Sequence, residues 1–273
     1  MNMLCEVLEI GRSAYYAWSV RGESSRSKSN RGLVVHIQQV FKESRGTYGS
    51  RRVHASLRKQ GISCTKKRVS RLMQQEKLVS VHRRKYRPQT TNSSHSNPIV
   101  PNLLKQDFRA AERNKKWVGD ITFVRTKEGW LYLATIIDLY SRRVVGWATS
   151  ANIDSELVCE ALKMAKLRRE DLVAVIFHSD RGSQYASDKF RYKLGEIGIT
   201  PSMSRSGNVY DNAVAESFYH TLKVELVHRE KYQTREEARR SISEFIEQFY
   251  NSTRLHSSLG YKSPIEFERQ KAA

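Results

Sequence analysis

Apolar positions change their period partway along the chain. Over residues 1–80 they recur at helical spacing, and three or four short helices are expected: Met1–Leu8, Gly32–Glu43, Ser50–Lys59 and Thr65–Glu76. Between the last two lie Gln60 to Cys64, where Gly61 suits the end of one helix and Thr65 the cap of the next. That is helix-turn-helix spacing. The second helix sets Lys66, Lys67, Arg68 and Arg71 beside Val69, Leu72 and Met73, so one face can pack while the other meets phosphates. A basic helix that is only solvated has the same pattern. Arg51 and Arg52 join the candidates for DNA contact. A weaker copy of the motif sits at the start: Cys5–Glu9 as a helix, Ile10–Arg12 as a turn, and Ser13 capping Ala14–Ser19. Its Tyr15, Tyr16 and Trp18 suit a core as well as base stacking.

From Arg87 to Pro101 the prolines Pro88, Pro98 and Pro101 fall among Thr, Asn and Ser, a composition that resists regular structure. A linker is expected over residues 87–105. Beyond it the pattern becomes that of strands: Trp117–Arg125, Gly129–Leu139 and Arg142–Ser150, rich in β-branched and aromatic residues and separated by two turns. These three form an expected antiparallel meander. Strand and helix then alternate: helix Asp154–Lys166 with Leu157, Ala161, Met164 and Ala165 on one face, strand Val173–Phe177, helix Ser187–Glu196, strand Ile199–Met203, and helices Asn212–Val227 and Arg235–Tyr250. The domains expected are a basic helical one over 1–86 and an α/β layer structure over 106–273 with a helical tail.

Charge sharpens this division. Lysine and arginine number 48 against 28 acidic residues, a net charge of +20, and residues 1–100 carry 20 basic against 5 acidic side chains, or +15 of that total. Such a head suits a domain that neutralises phosphates, although a basic solubilising surface has the same composition. Cys5, Cys64 and Cys159 are far apart and odd in number, so neither a disulfide framework nor a CxxC metal pair is expected, and a reducing cytosol is. With no apolar run of about 18 residues and no basic-then-apolar leader, neither membrane spanning nor export is expected.

The chemistry lies in three carboxylates. Asp120 falls inside the first apolar strand and Asp180 just after a buried one, places where a carboxylate must be paired, protonated or metal-bound. Either alone would serve as half of a salt bridge. Glu216 follows on a helix whose Val214, Phe218 and Leu222 recur at i, i+4 and i+8 and pack inward. Lys223, two turns on, points the same way as Glu216, where an ammonium can meet a phosphate. Three carboxylates make an all-oxygen site suited to Mg²⁺ or Mn²⁺ rather than zinc. Two such ions, roughly 3.5 to 4 Å apart, activate a water or a 3′-hydroxyl and stabilise the leaving oxygen in phosphodiester hydrolysis and transesterification. Asp138 more naturally caps its turn or pairs with Arg142 or Arg143. His178 is expected as a packed or hydrogen-bonded neighbour of Asp180 rather than a base. Arg254 and His256 either contact DNA or close the fold.

Thirty-five residues separate Asp180 from Glu216. The flanks include Trp117, Ile121 and Thr122; Trp130, Tyr132, Leu133, Asp138 and Arg142; His178 to Tyr185; Ser202 to Ser204, Gly207, Asn208 and Tyr210 to Ala213; Ser217 and Phe218; and Tyr250, Asn251, Arg254, His256, Leu259 to Tyr261 and Pro264. In this order they resemble the DDE transposases and integrases, and in particular the second-reading-frame (OrfB) product of the IS-three insertion-sequence family, from the Tyr15 region onward.

The resemblance implies a ribonuclease-H-like catalytic core, a mixed sheet flanked by helices, behind a small all-α helix-turn-helix-like domain. It implies Asp120, Asp180 and Glu216 as catalytic metal ligands, with two Mg²⁺ or Mn²⁺ ions when DNA is bound. Lys223 would contact DNA near the scissile phosphate, and Asn212 and the Ser204–Tyr210 loop would shape the rim. The implied activity is that of a polynucleotidyl transferase. It cuts DNA at the terminal inverted repeats of its element and joins the released 3′-hydroxyl to DNA, leading through a branched intermediate and a circle to integration in a target.

The implied setting is the bacterial cytoplasm, at the nucleoid, as a homo-oligomer on DNA together with the upstream-frame (OrfA) product or as a fusion with it. The chain has neither a heptad run nor the upstream segment, so it is expected to be the catalytic frame. His36 and His54 lack the HxxxH and CxxC pattern of a zinc-binding head. A nuclease of the same fold, which cuts without joining, is opposed by the basic head and the 35-residue spacing. A non-catalytic repressor derived from a transposase would be expected to have lost a carboxylate, and none is lost.

Overall fold

Side-chain caps set where the first helices begin. Ser24 accepts from Ser27 N (3.1 Å) and Thr65 from Arg68 N (3.2 Å), satisfying amides that have no partner within the helix. In this computed structural model, which describes Cys5 and residues 7–81, 98–170, 172–205 and 209–272, the chain divides into two units, Met1–Val81 and His82–Ala273. Much of the expected Met1–Leu8 helix and the linker up to residue 97 lie outside the described residues.

The first unit holds α1 (Arg12–Ser19), α2 (Ser25–Glu43), α3 (Ser50–Lys59) and α4 (Lys66–Gln75). α2 starts earlier than the apolar pattern indicates, because Ser24 caps it and Glu23 accepts from Ser27 Oγ and Arg31 Nη2. Leu33, Ile37 and Val40 of α2 are buried, as are Val53 and Leu57 of α3 and Val69, Leu72 and Met73 of α4. Gly61, at φ +78°, makes the left-handed turn between α3 and α4. α1 buries nothing, and Trp18 is 68% exposed, so its aromatic residues form no core.

The second unit is built on β1 (Lys116–Thr126), β2 (Gly129–Asp138), β3 (Val144–Ser150), β4 (Ile176–Ser179) and β5 (Thr200–Met203), in the order β3-β2-β1-β4-β5. β1, β2 and β3 form the expected antiparallel meander, and β4 and β5 join in parallel. This order and direction define a ribonuclease-H-like sheet. Against it lie α5 (Ser155–Arg168), the short α6 (Ser183–Ala186) and α7 (Asp188–Glu196). After a 3₁₀ turn at Val209–Asn212 come α8 (Ala213–Glu225) and α9 (Arg235–Glu244). α9 passes into a π-helical turn, Phe245–Tyr250, and α10 (Pro264–Ala272) follows. α6 and α10 were not anticipated. β4 lies three residues later than the apolar run at Val173–Phe177, because Val173 is 66% exposed and Ala174 turns the chain at φ +54°.

Glycines let the layers close. A Cβ on Gly146 would meet Ala161 O of α5 at 2.2 Å, and one on Gly119 would meet Phe177 Cζ of β4 at 2.4 Å. The end of the expected linker is tied down: Leu104 is buried, and Leu103 N donates to Ser202 Oγ (2.8 Å). Among the described residues no helix is long and apolar enough to cross a membrane.

Candidate active site

β4 pairs with β1 only from Lys116 to Val118, so Gly119 to Thr126 have no strand partner on that side among the described residues. Asp120 stands at the start of this open half. Asp180 is the first residue past β4, and its Oδ1 accepts from Gly182 N (2.9 Å) in a side-chain turn that leads into α6. Glu216 is exposed in the first turn of α8. α8 is bolted to the sheet at two points. Asn212 Nδ2 donates to Gly119 O (3.2 Å), and the buried Tyr219 hydroxyl donates to Asp120 O while accepting from Thr135 Oγ1 (2.9 Å). Phe218 and Leu222 are buried as expected, but Val214 is only half-buried, the inward positions being Ala215 and Tyr219.

The electrostatics bring these groups together. Burial pushes the Asp120 carboxyl well above the usual range, and the negative charge of Asp180 adds to the shift; the Ile121 N–H, donated to Oδ1 at 2.8 Å, opposes it. Glu216 raises Asp120 further and Lys223 lowers it. Burial raises Glu216 itself, and burial lowers Lys223 against the pull of Asp120. As the side chains stand, no three His, Cys, Asp or Glu among the described residues converge closely enough to hold an ion.

A polar network braces the site. His178 is fully buried between Ser202 Oγ (2.9 Å) and Ser204 Oγ (3.2 Å), and burial lowers its pKa to about 4, so the ring is neutral at pH 7. The buried Asp211 accepts from Asn102 Nδ2 and Gln106 Nε2, both at 2.9 Å, and from Arg205 N (2.8 Å), Nε and Nη2 (both 3.2 Å). It joins the segment ahead of β1 to the start of α8. Residues 206–208 of the expected rim loop lie outside the described residues. Asn212 is buried, and its Oδ1 has no hydrogen-bond partner among the described residues.

The remaining candidates divide between surface and interior. Lys66, Lys67, Arg71 and Arg51 are exposed in the first unit. Arg68 instead ties α4 to α2 through Asn30 Oδ1 and Ser29 Oγ, both at 2.8 Å, and Arg52 lies over the Tyr48 ring. Arg254, a DNA-contact candidate, is turned inward: it is 5% exposed and donates to both carboxylate oxygens of buried Glu225 at 2.8 and 2.6 Å. His256 packs edge-on against Tyr250. Asp138 caps its turn by accepting from Tyr140 N and also accepts from Asn114 N ahead of β1, and the guanidinium that pairs with it is Arg169 at 3.9 Å rather than Arg142 or Arg143. The role of Tyr219 escaped the sequence. Tyr219, three residues past Glu216, lies on the adjoining stripe of the helix, the one signal available.

A basic helix-turn-helix unit and a ribonuclease-H-like unit with acidic groups at the open end of its central strand define an enzyme that transfers DNA strands. Integrase core domain families match residues 110–209 and 197–264, and an HTH-like domain family matches 28–86. The chain is 41% identical over 275 residues to the transposase InsF for insertion sequence IS3A of Escherichia coli (strain K12), covering 100% of this chain and 95% of that one. It is 42% identical over 267 residues to an uncharacterized 31 kDa protein of insertion element IS600 from Shigella sonnei, covering 98% of each. It belongs to the IS3 family of insertion-sequence transposases. The HTLV-2 integrase catalytic core domain in complex with magnesium aligns at a TM-score of 0.40 and 15% identity, over 59% of this chain and 98% of that one. The strand order, and not so loose a superposition, carries the fold.

Proposed function

We propose that this transposase holds its divalent ions with Asp120, Asp180 and Glu216, and that Lys223 contacts the DNA beside them. The observation that carries the reading is the place of Asp120 on the open half of β1 with Asp180 just past β4, where burial and the charge of Asp180 raise the Asp120 carboxyl. The donor set is all oxygen, which fits Mg²⁺ or Mn²⁺. DNA phosphate would complete the coordination of ions held by these carboxylates. Two such ions, held by these carboxylates with DNA bound, would supply activation of a water or 3′-hydroxyl and stabilise the leaving oxygen. The chain's own part is positional: Tyr219 and Asn212 hold α8 against β1, and the neutral, fully bonded His178 takes no proton from the nucleophile at pH 7.

The DNA engaged would be the element's terminal inverted repeats and a target. Residues 1–86 would grip the ends through exposed Lys66, Lys67, Arg71 and Arg51, with 87–105 as the connection to the core at 106–273. Two ends handled together call for a homo-oligomer, and the OrfA product or fusion completes the assembly. A bacterial cytoplasmic location at the nucleoid follows from that substrate. The test is strand transfer with purified chain, with and without the OrfA fusion, Mg²⁺ and labelled element ends, beside Asp180→Asn. Joined products that vanish in the variant are expected. Cutting without joining would favour a nuclease, and binding without chemistry in every form a repressor.

A further inference from the structure

Two aromatic rings and two cations form a row along the β1–β2 hairpin that begins at Lys223. Phe123 and Arg125, two apart on β1, point to the same side of the sheet, and their cross-strand partners on β2 are Tyr132 and Trp130. Lys223 Nζ lies 5.0 Å from the Phe123 ring centroid, and the Phe123 and Trp130 rings meet edge to face at 5.0 Å and 80°. Arg125 Cζ stands 5.9 Å from the Trp130 ring. The inner end of this row is Lys223, which acts electrostatically on Asp120; the outer end is the turn at Lys127 and Glu128. Trp130 is 43% exposed, though its neighbours along β2 from Leu131 onward are buried or half-buried.

We infer that this row is a binding track for unpaired nucleotides, with Trp130 as the platform on which a base stacks. The inference rests on the carboxylates being the site of strand chemistry, because the row begins at Lys223, which acts on Asp120. Protein hot spots are also rich in Trp and Arg, so the choice of a nucleic acid rests on Lys223, which ties the row to Asp120. Here a cation bounds the rings at each end, which suits a polyanion that also offers flat faces, and that combination describes single-stranded nucleic acid. In a duplex the base faces are stacked on one another, so the track takes nucleotides freed from pairing at a strand end. Arg125 and Lys223 would meet phosphates on either side of the stacked base.

The test uses the full chain in EDTA, so that binding is read without cutting. Three probes are compared by fluorescence anisotropy: a blunt duplex, the same duplex with an unpaired 3′ tail, and the tailed duplex with 2-aminopurine in the tail, whose quenching also reports stacking. Wild type is expected to prefer the tailed duplex. Trp130→Ala should lose about tenfold in affinity for it, within the range for one stacked base, while blunt-duplex affinity stays within about twofold. Quenching should disappear in Trp130→Ala and persist in Trp130→Phe, which keeps a ring and controls for folding. Absence of a tail preference in wild type, an equal loss on both duplexes, or quenching unchanged in Trp130→Ala would each overturn the track. Asp180→Asn, carried through the same binding assay and through strand transfer, separates the two readings. Strand transfer surviving in that variant sinks the metal-site reading, whereas the tail preference tests the track alone.

Discussion

Arg254→Ala should be a stability variant and not a DNA-binding one. Arg254 and Glu225 are 5% and 8% exposed, and two charge-assisted bonds join them at 2.8 and 2.6 Å. Removing the guanidinium leaves a carboxylate buried without its counter-ion, which costs about 3 to 5 kcal/mol. Loss of the contact with the Tyr250 ring, 5.8 Å from Cζ, adds roughly 0.5 to 1 kcal/mol. Against a domain stability of about 5 to 15 kcal/mol this is a severe loss. Replacing both partners, Glu225→Leu with Arg254→Met, should recover most of it, because an apolar pair of similar volume avoids the desolvation that the ion pair has to offset. Urea unfolding, followed by near-ultraviolet circular dichroism and fitted with a separate transition for each unit, reads the stability. Salt titration of DNA binding reads the other arm, where removal of a phosphate-contacting residue lowers the slope by about one. A stable Arg254→Ala with a shallower salt slope would refute the assignment and put Arg254 back among the DNA contacts.

Three further outcomes follow from the packing. Gly119→Ala places a Cβ where Phe177 Cζ would be 2.4 Å away, so thermal unfolding should show a loss of about 1 to 3 kcal/mol that Phe177→Leu in the same chain largely restores; no rescue would mean that the clash lies elsewhere. Asp211→Asn removes a charged acceptor from Asn102, Gln106 and Arg205, at a cost of about 2 to 3 kcal/mol, and should speed amide hydrogen exchange at Arg205; unchanged exchange would show that the segment is held by other means. Burial pushes Tyr250 up to about 12, above its unfolded value of about 10, so its contribution to stability is present below pH 10 and lost as pH rises from there to about 12. Phenolate absorbance should show the late ionisation, and Tyr250→Phe should flatten the loss of stability; identical curves would contradict the burial argument.

Local signals carried much of the architecture. The end of α3 and the start of α4 were legible because Gly61, with no Cβ, takes the positive φ that ends a helix, and the Thr65 hydroxyl caps the next one. The meander was legible because β-branched and aromatic residues cluster in its strands and turn residues fall between them. β4 was displaced because hydropathy marks an apolar run, whereas the strand is set by which residues β1 pairs with, some sixty positions away. Asp120 and Asp180 drew notice for the cost of placing charge there. Arg254 could not be sorted by sequence, since a cation with a buried partner in another element looks the same as one facing DNA. Tyr219 was hidden for a related reason: its hydroxyl matters only once α8 lies across Asp120 and Thr135.

The early stop of β4 has a cost beyond the site it creates. From Gly119 onward one side of β1 has no strand partner among the described residues; Asn212 and Tyr219 engage the carbonyls of Gly119 and Asp120, and beyond them lies the kind of edge on which a strand from another molecule can add and begin aggregation. Charged side chains are a common defence at such edges, and here Asp120 and Arg125 lie on the strand itself with Lys223 beside it. The groups to which we assign the chemistry would therefore also keep the edge single. Apolar replacement at Asp120 or Lys223 would remove that protection along with the proposed chemistry, leaving a chain that folds but sticks to its own copies.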